Sequence, residues 1–192
     1  MGKSSTKTGE EFNKVYCSIG HWIWTDKRIP EELKEIVKSL NPKASLELGC
    51  GIGIFSSFMA SQGIIATGVD FSSKAIEKAK KRVASNIYKP IFVVSDVTNL
   101  KIINEQFDVS FDVGCFHCLD EGGQQKYISE IHRLLKPNAT HLIWAPDSSP
   151  SGMKLSPKYI EQTFGEHFKL DKSVFSRRRI ASSHWYWLTR KD

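Results

Sequence analysis

The sequence predicts an α/β fold: a doubly wound, mostly parallel sheet that ends in an antiparallel C-terminal hairpin. Three observations carry this. Short apolar strand patterns alternate with helical ones through residues 30–164. The glycine-rich run Gly49-Cys50-Gly51-Ile52-Gly53 sits where a strand pattern passes into a helical one. Beyond residue 165 the alternation breaks, and two strand patterns, 168–176 and 183–189, follow with no helix between them.

The elements follow in order. Pro30, Glu31 and Glu32 open an amphipathic helix with apolar residues at 33, 36, 37 and 40, because proline and acidic groups suit a first turn. Residues 44–48 form a buried strand that runs into the glycine turn, and 55–61 continue as helix. A second strand over 64–70 ends in Asp70; a helix over 72–86 follows, with Ser72 or Ser73 as its cap. Strands are expected over 90–96, ending in Asp96, and over 107–113. A helix over 124–135, stopped by Pro137-Asn138, precedes a strand over 140–145, and Ser156-Pro157 opens a last helix to about residue 164. Parallel strands joined by helices bind ligands beyond their carboxyl ends.

A chain of 192 residues suffices for one domain with a real core, so 1–29 are taken as a polar tail and aromatic lead before a domain over 30–192. No apolar run approaches the length of a membrane span, and the polar start has no export signal, so a cytoplasmic protein without a membrane partner is expected. Reduced cysteines suit that compartment. Cys115 and Cys118 form a CxxC around His117, but no second ligand pair exists, so no metal is assigned. The net charge of +6 gathers in residues 151–192, nine basic groups against four acidic, around Arg177, Arg178 and Arg179. Without a reading helix or an interleaved aromatic surface, this run is expected to bind no nucleic acid specifically.

The chemistry lies at the strand ends. The turn Gly49, Gly51, Gly53 brings backbone and helix N–H groups close to a ligand. Asp70, about 20 residues on, suits the two hydroxyls of a ribose, and Asp96 the exocyclic amine of an adenine, with Phe71 offering a ring face. A dinucleotide loop would put its third glycine at position 54, which is Ile54, so a nicotinamide-dependent oxidoreductase is the alternative reading and a non-catalytic nucleotide-binding module the other.

The runs Leu46-Glu47-Leu48-Gly49-Cys50-Gly51-Ile52-Gly53, Val69-Asp70-Phe71-Ser72, Ser95-Asp96-Val97 and Phe107-Asp108-Val109-Ser110-Phe111-Asp112 resemble successive motifs of class I, Rossmann-like, S-adenosylmethionine-dependent methyltransferases over residues 30–190. The resemblance implies S-adenosyl-L-methionine as cofactor. Glu47, Gly49 and Gly51 would surround its methionine, Asp70 its ribose, and Asp96 with Val97 its adenine, with Cys50 and Phe71 also among the cofactor-binding residues; Asp112, Val113 and Gly114 would line the methionine amine and the acceptor mouth. The Gly114-Cys115-Phe116-His117-x-Leu119 run is similar to small bacterial thiopurine and tellurite methyltransferases. With no appended binding domain, a small-molecule acceptor and a monomer or homodimer are expected. Trp22 and Trp24 either close over the cofactor sulfonium or pack the lead onto the domain. His117, beside the expected transfer point, is either a general base or structural. Because few bases follow the fourth strand, the acceptor is expected to be a thiol or chalcogen that needs little deprotonation.

Overall fold

A computed structural model describes residues 28–150, 152–176 and 182–192. Trp22, Trp24, most of the polar lead and the arginines at 177–179 lie outside the described residues. The described residues divide into two compact units, one up to Val97 and one from Thr98 on.

In the first unit, α1 (Glu31–Leu40) follows Pro30, carries Glu31 and Glu32 in its first turn and buries Leu33 and Ile36. It stops at Asn41, whose left-handed backbone (φ 44°) lets its N–H bond the Val37 carbonyl. Then come β1 (Ala44–Leu48), α2 (Ile54–Ser61), β2 (Ile65–Asp70), α3 (Ser73–Arg82) and β3 (Ile91–Val94). The three strands are parallel with β2 between the others; Leu48 pairs with Val69 and Asp70 with Val94. Their carboxyl ends therefore share one edge.

Two boundaries differ from expectation. α3 ends at Arg82 rather than near residue 86, because beyond Val83 the bonds tighten to three-residue spacing, Ala84 N–H to Lys81 and Asn86 N–H to Val83. β3 ends at Val94 rather than at Asp96. β2 stops at Asp70, whose carbonyl takes the Ser95 N–H, and offers nothing beyond it to pair with.

The second unit runs β4 (Phe107–Val113), a 3-10 turn (Phe116–Cys118), α4 (Glu121–Leu134), β5 (Leu135–Pro146), α5 (Pro157–Phe164), β6 (Phe168–Ser176) and β7 (Ser183–Arg190). β4 pairs with β5 in parallel, β5 with β7 and β7 with β6 antiparallel, so the hairpin foreseen at the C-terminus is present. α4 starts at Glu121, earlier than expected, since the Asp120 side chain accepts the Gly123 N–H and caps it. Pro137-Asn138 does not separate helix from strand: β5 begins at Leu135, paired with Phe107, and the register shift between Phe107 and Val109 accommodates the proline stretch.

The core of this unit holds a polar chain. Ser110, Asp112, Tyr127 and His141 are all fully buried. The Ser110 hydroxyl lies 2.7 Å from His141 Nδ1, His141 Nε2 3.1 Å from the Tyr127 hydroxyl, and Tyr127 donates to Asp112 Oδ2 at 3.1 Å. These bonds match every donor to an acceptor, as a dry interior requires. Burial holds His141 down to about 3, so the ring stays neutral when folded. Burial also pushes Asp112 up to about 7, against the bonds from Cys115, Phe116 and Tyr127 that favour its charge.

The two groups act on stability in opposite senses. Folded His141 refuses the proton that an unfolded ring binds below about 6.5, so acid costs stability from there down to about 3. Asp112, with its folded value raised, contributes most below about 3.8 and loses that contribution as pH rises to about 7. Replacing His141 by Gln is therefore predicted to leave a chain that gains on the wild type by up to about 1.4 kcal/mol per pH unit of acidification between pH 6.5 and 4. Urea unfolding at several pH values measures this; parallel stability curves for the two proteins would refute a buried neutral imidazole.

Candidate functional site

At the carboxyl edge of β1–β3 the chain leaves Leu48 through Gly49, Gly51 and Gly53, with φ of 69°, 53° and 71°. Gly53 meets two demands at once. Its left-handed backbone is costly for any side chain, and a Cβ there would stand 2.3 Å from Cζ of Phe92. Gly68, in the middle of β2, meets a related constraint: a Cβ would fall 2.6 Å from Ser56 Oγ and 3.0 Å from Cys50 Cβ, so its absence lets the turn and α2 lie close on the strand.

Buried carboxylates hold this turn in place. Asp70 Oδ2 accepts the Gly51 N–H and Oδ1 the Ser72 N–H, both at 2.9 Å. Burial raises its pKa above the usual carboxylate value, against these two bonds. A carboxylate has about four lone-pair positions, so two remain after the backbone bonds. Glu47, also buried, turns towards α2, where Oε2 accepts the Ser56 N–H at 2.7 Å and the Ser56 hydroxyl. A negative group at that position complements the N–H groups of the helix's first turn.

The Cys50 side chain packs with Ile76, Ala79, Val83 and Phe92, while its N–H bonds the Val69 carbonyl at 2.8 Å. Burial, then the Glu47 and Asp70 charges, keep its thiol well above the ordinary range, which makes it a core group and not a nucleophile. Phe71 is half-buried past β2, and Ser72 caps α3 by accepting the Ala75 N–H. Asp96 is exposed two residues past β3, with Val97 buried beside it. Glu47, the glycine turn, Asp70, Phe71, Asp96 and Val97 thus all belong to one edge of one unit.

The end of β4 is organised by Asp112. Its Oδ1 accepts the Cys115 N–H and its Oδ2 the Phe116 N–H, both at 2.6 Å. Both carboxylate oxygens are thus used in folding the chain back over the strand end. Gly114, at φ 92°, donates its N–H to the Trp144 carbonyl at 3.1 Å, while Val113 is half-buried before it. His117 follows in the 3-10 turn, half-buried, with Nε2 3.5 Å from the Cys118 sulfur. Trp24 lies outside the described residues, so its position relative to any of these groups is not described. Among the described residues no cluster of metal-ligating side chains forms, and no helix is long and apolar enough to cross a membrane.

Two polar groupings escaped the sequence reading, the Ser110–His141–Tyr127–Asp112 chain and a pair formed by Asp147 and His184. Neither has a local motif: the second pair is separated by 37 residues and meets only through the pairing of β5 with β7.

A methyltransferase-domain family matches residues 46–138. The chain is 26% identical over 133 residues to a malonyl-[acyl-carrier protein] O-methyltransferase of Hamiltonella defensa, covering 69% of this chain and 49% of that protein. It is 34% identical over 115 residues to a phosphoethanolamine N-methyltransferase of Triticum aestivum, covering 58% of this chain and 23% of that one. The chain thus spans half or less of the length of these two curated relatives. Among solved structures, a Burkholderia thailandensis 1,6-didemethyltoxoflavin-N1-methyltransferase with its substrate and S-adenosylhomocysteine superposes at a TM-score of 0.81 with 20% identity, over 96% of this chain and 87% of that one. That likeness shows a shared fold, the Rossmann-like α/β arrangement with a terminal hairpin. Over residues 46–138 the chain thus matches a methyltransferase-domain family, and its fold is the Rossmann-like one of the S-adenosylmethionine-dependent methyltransferases that it resembles.

Proposed function

We propose that the chain binds S-adenosylmethionine at the carboxyl edge of β1–β3 and transfers its methyl group to a small molecule. The observation that carries this is the Asp70 carboxylate, buried at the end of β2 and tied to the glycine turn through Gly51. When bound, the cofactor supplies a methyl group on a sulfonium, open to attack from the side opposite sulfur.

The residues fit that ligand. The turn at Gly49–Gly53 offers backbone close to the methionine portion, and no side chain at Gly53 could be placed without displacing Phe92. Asp70 keeps lone pairs for the ribose hydroxyls, Phe71 offers a ring face, and Asp96 with Val97 gives an acceptor beside an apolar wall for the adenine. Cys50 takes part through its backbone, since its thiol is packed in the core. Asp112 shapes the turn that follows β4 and so places Val113, Gly114 and His117. What the chain contributes to the transfer itself is orientation and exclusion of water.

The acceptor is proposed to be a thiol or chalcogen. A thiol with an ordinary pKa near 8.5 already holds a few per cent thiolate at neutral pH and is a strong nucleophile. Support comes from the likeness of the Gly114–Leu119 run to thiopurine and tellurite enzymes. Incubation with labelled cofactor and a panel of thiols, selenols, tellurite, phenols and amines tests the class.

Two outcomes are predicted. Asp70→Ala weakens S-adenosylhomocysteine binding by about 1.5–3 kcal/mol, the scale of charge-assisted hydrogen bonds lost from a buried site. Calorimetry on the folded variant measures it; undiminished affinity, or binding of NADH in place of the methyltransferase ligand, refutes the assignment. His117→Gln lowers the rate with a thiol less than about tenfold, well short of the loss expected for a general base. Steady-state rates decide this, and a larger loss rescued by a more acidic acceptor would make His117 the base.

A further inference from the structure

The amino edge of the unit that ends at Val97 carries a surface that the proposed cofactor site does not use. α3 buries Ala75, Ile76 and Ala79 against its strands and ends at Arg82. Val83 follows with its side chain still in the core, after which residues 84–89 are exposed without a break until Pro90 is buried again before β3. Two bonds of three-residue span, Ala84 N–H to the Lys81 carbonyl and Asn86 N–H to the Val83 carbonyl, fold this stretch into tight turns.

The tip of the stretch is apolar. Ile87 is 91% exposed and Tyr88 59%, so both project from the surface and neither lines a groove. Ile91, which opens β3, is 55% exposed, and Ile65, which opens β2, is 65% exposed. Thr67 pairs with Ile91, so by alternation Ile65 and Ile91 stand on one face of the sheet. A single exposed apolar residue needs no explanation, but large ones gathered at one end of two neighbouring strands form a patch.

The same stretch is basic. Residues 71–95 hold five lysines and Arg82 against one acid, Glu77, which Lys74 and Lys81 engage at 3.1 and 2.8 Å. Lys80, Lys81 and Arg82 fill the last turn of α3, all exposed, and Lys89 follows Tyr88 directly. Cations in a last turn complement the helix dipole. That accounts for neither Lys89, which lies outside the helix, nor the apolar tip between the two groups of charge.

The combination selects among occupants. A second copy would bring equal positive charge against this face and be repelled. A nucleic acid would match the cations but leave the isoleucines against phosphate, and one tyrosine makes no stacking platform. A protein partner would need a hollow shaped to a projecting tip. A bilayer interface needs no such hollow: aliphatic side chains enter the acyl boundary, tyrosine settles at headgroup level, and lysine stems reach back to anionic headgroups.

We propose that this amino-edge surface docks reversibly on an anionic lipid bilayer, with Ile87 and Tyr88 inserted at the interface and Lys80, Lys81, Arg82 and Lys89 against the headgroups. The expectation of no membrane partner rested on the lack of a spanning segment, and a surface contact requires none. The carboxyl edge with Asp70 lies at the other end of the same parallel strands, away from the contact.

The test mixes the full chain with lipid vesicles and measures the bound fraction by sedimentation. Vesicles of equal parts phosphatidylcholine and phosphatidylserine are expected to retain the chain, phosphatidylcholine alone to retain it at least about tenfold less, and added salt to release it. Ile87→Ser combined with Tyr88→Ser is expected to lower the partition coefficient on the mixed vesicles by about tenfold or more. Lys80→Ala, Arg82→Ala and Lys89→Ala together should lower it by about 100-fold, since each basic group near such a surface contributes roughly fivefold. All of these side chains are exposed, and urea unfolding verifies that the variants keep the stability of the wild type. Equal binding to both kinds of vesicle, binding to neither, or an Ile87 and Tyr88 variant that binds like the wild type overturns the proposal. So does capture of the wild type by single-stranded RNA or polyglutamate in place of vesicles, or a dimer that the same substitutions dissolve, because each puts a different occupant on this face.

Discussion

The buried carboxylate of Asp70 sets the constraint on which the proposed cofactor edge depends. It closes two bonds at once, to the N–H of Gly51 in the turn after β1 and to the N–H of Ser72 at the start of α3. Burying an ion costs several kcal/mol unless its lone pairs are met, so both backbone donors have to stay where they are. The turn must then pass close to β2, which requires that Gly68 carry no side chain towards Ser56 and Cys50 and that Gly53 carry none towards Phe92. Glu47 completes the same arrangement from β1 by engaging Ser56 near the start of α2. Side chains that hold backbone in this way fix a ligand surface before any ligand arrives, which limits the ordering cost of binding.

Much of this was legible in sequence because it is written locally. A buried strand, a glycine run and a helix pattern lie in consecutive residues, and carboxylates end the next two strand patterns. The C-terminal hairpin followed equally from two strand patterns without an intervening helix, and Trp185 and Tyr186, alternating on β7, are both core groups. Boundaries set by neighbours were less legible. β3 ends where β2 ends, which no residue of β3 announces, and β5 begins at Leu135 because Phe107 is there to pair with it. Asp112 shows the same limit for a single residue: its position after a strand pattern is visible, but not that both of its oxygens are taken by the following turn.

Least legible were the polar contacts made across strands. Tyr127 lies on α4 and His141 on β5, and each looks like an ordinary member of its element until the two rings meet in the core. Asp147 and His184 likewise depend on the antiparallel register of β5 and β7, which brings Ala145 opposite His184. The two histidines also show how environment assigns a role. His141, sealed in the core, is held neutral by burial, whereas His184, partly exposed, has its Nδ1 on the Asp147 carboxylate.

The central claim is that Asp70 and the glycine turn form an S-adenosylmethionine site, and a crystal structure of the chain grown with S-adenosylhomocysteine tests it most directly. The account predicts both ribose hydroxyls within about 3.2 Å of the Asp70 carboxylate, with the methionine portion along Gly49 and Gly51. A ligand bound away from this edge, with Asp70 still contacting only Gly51 and Ser72, would contradict it.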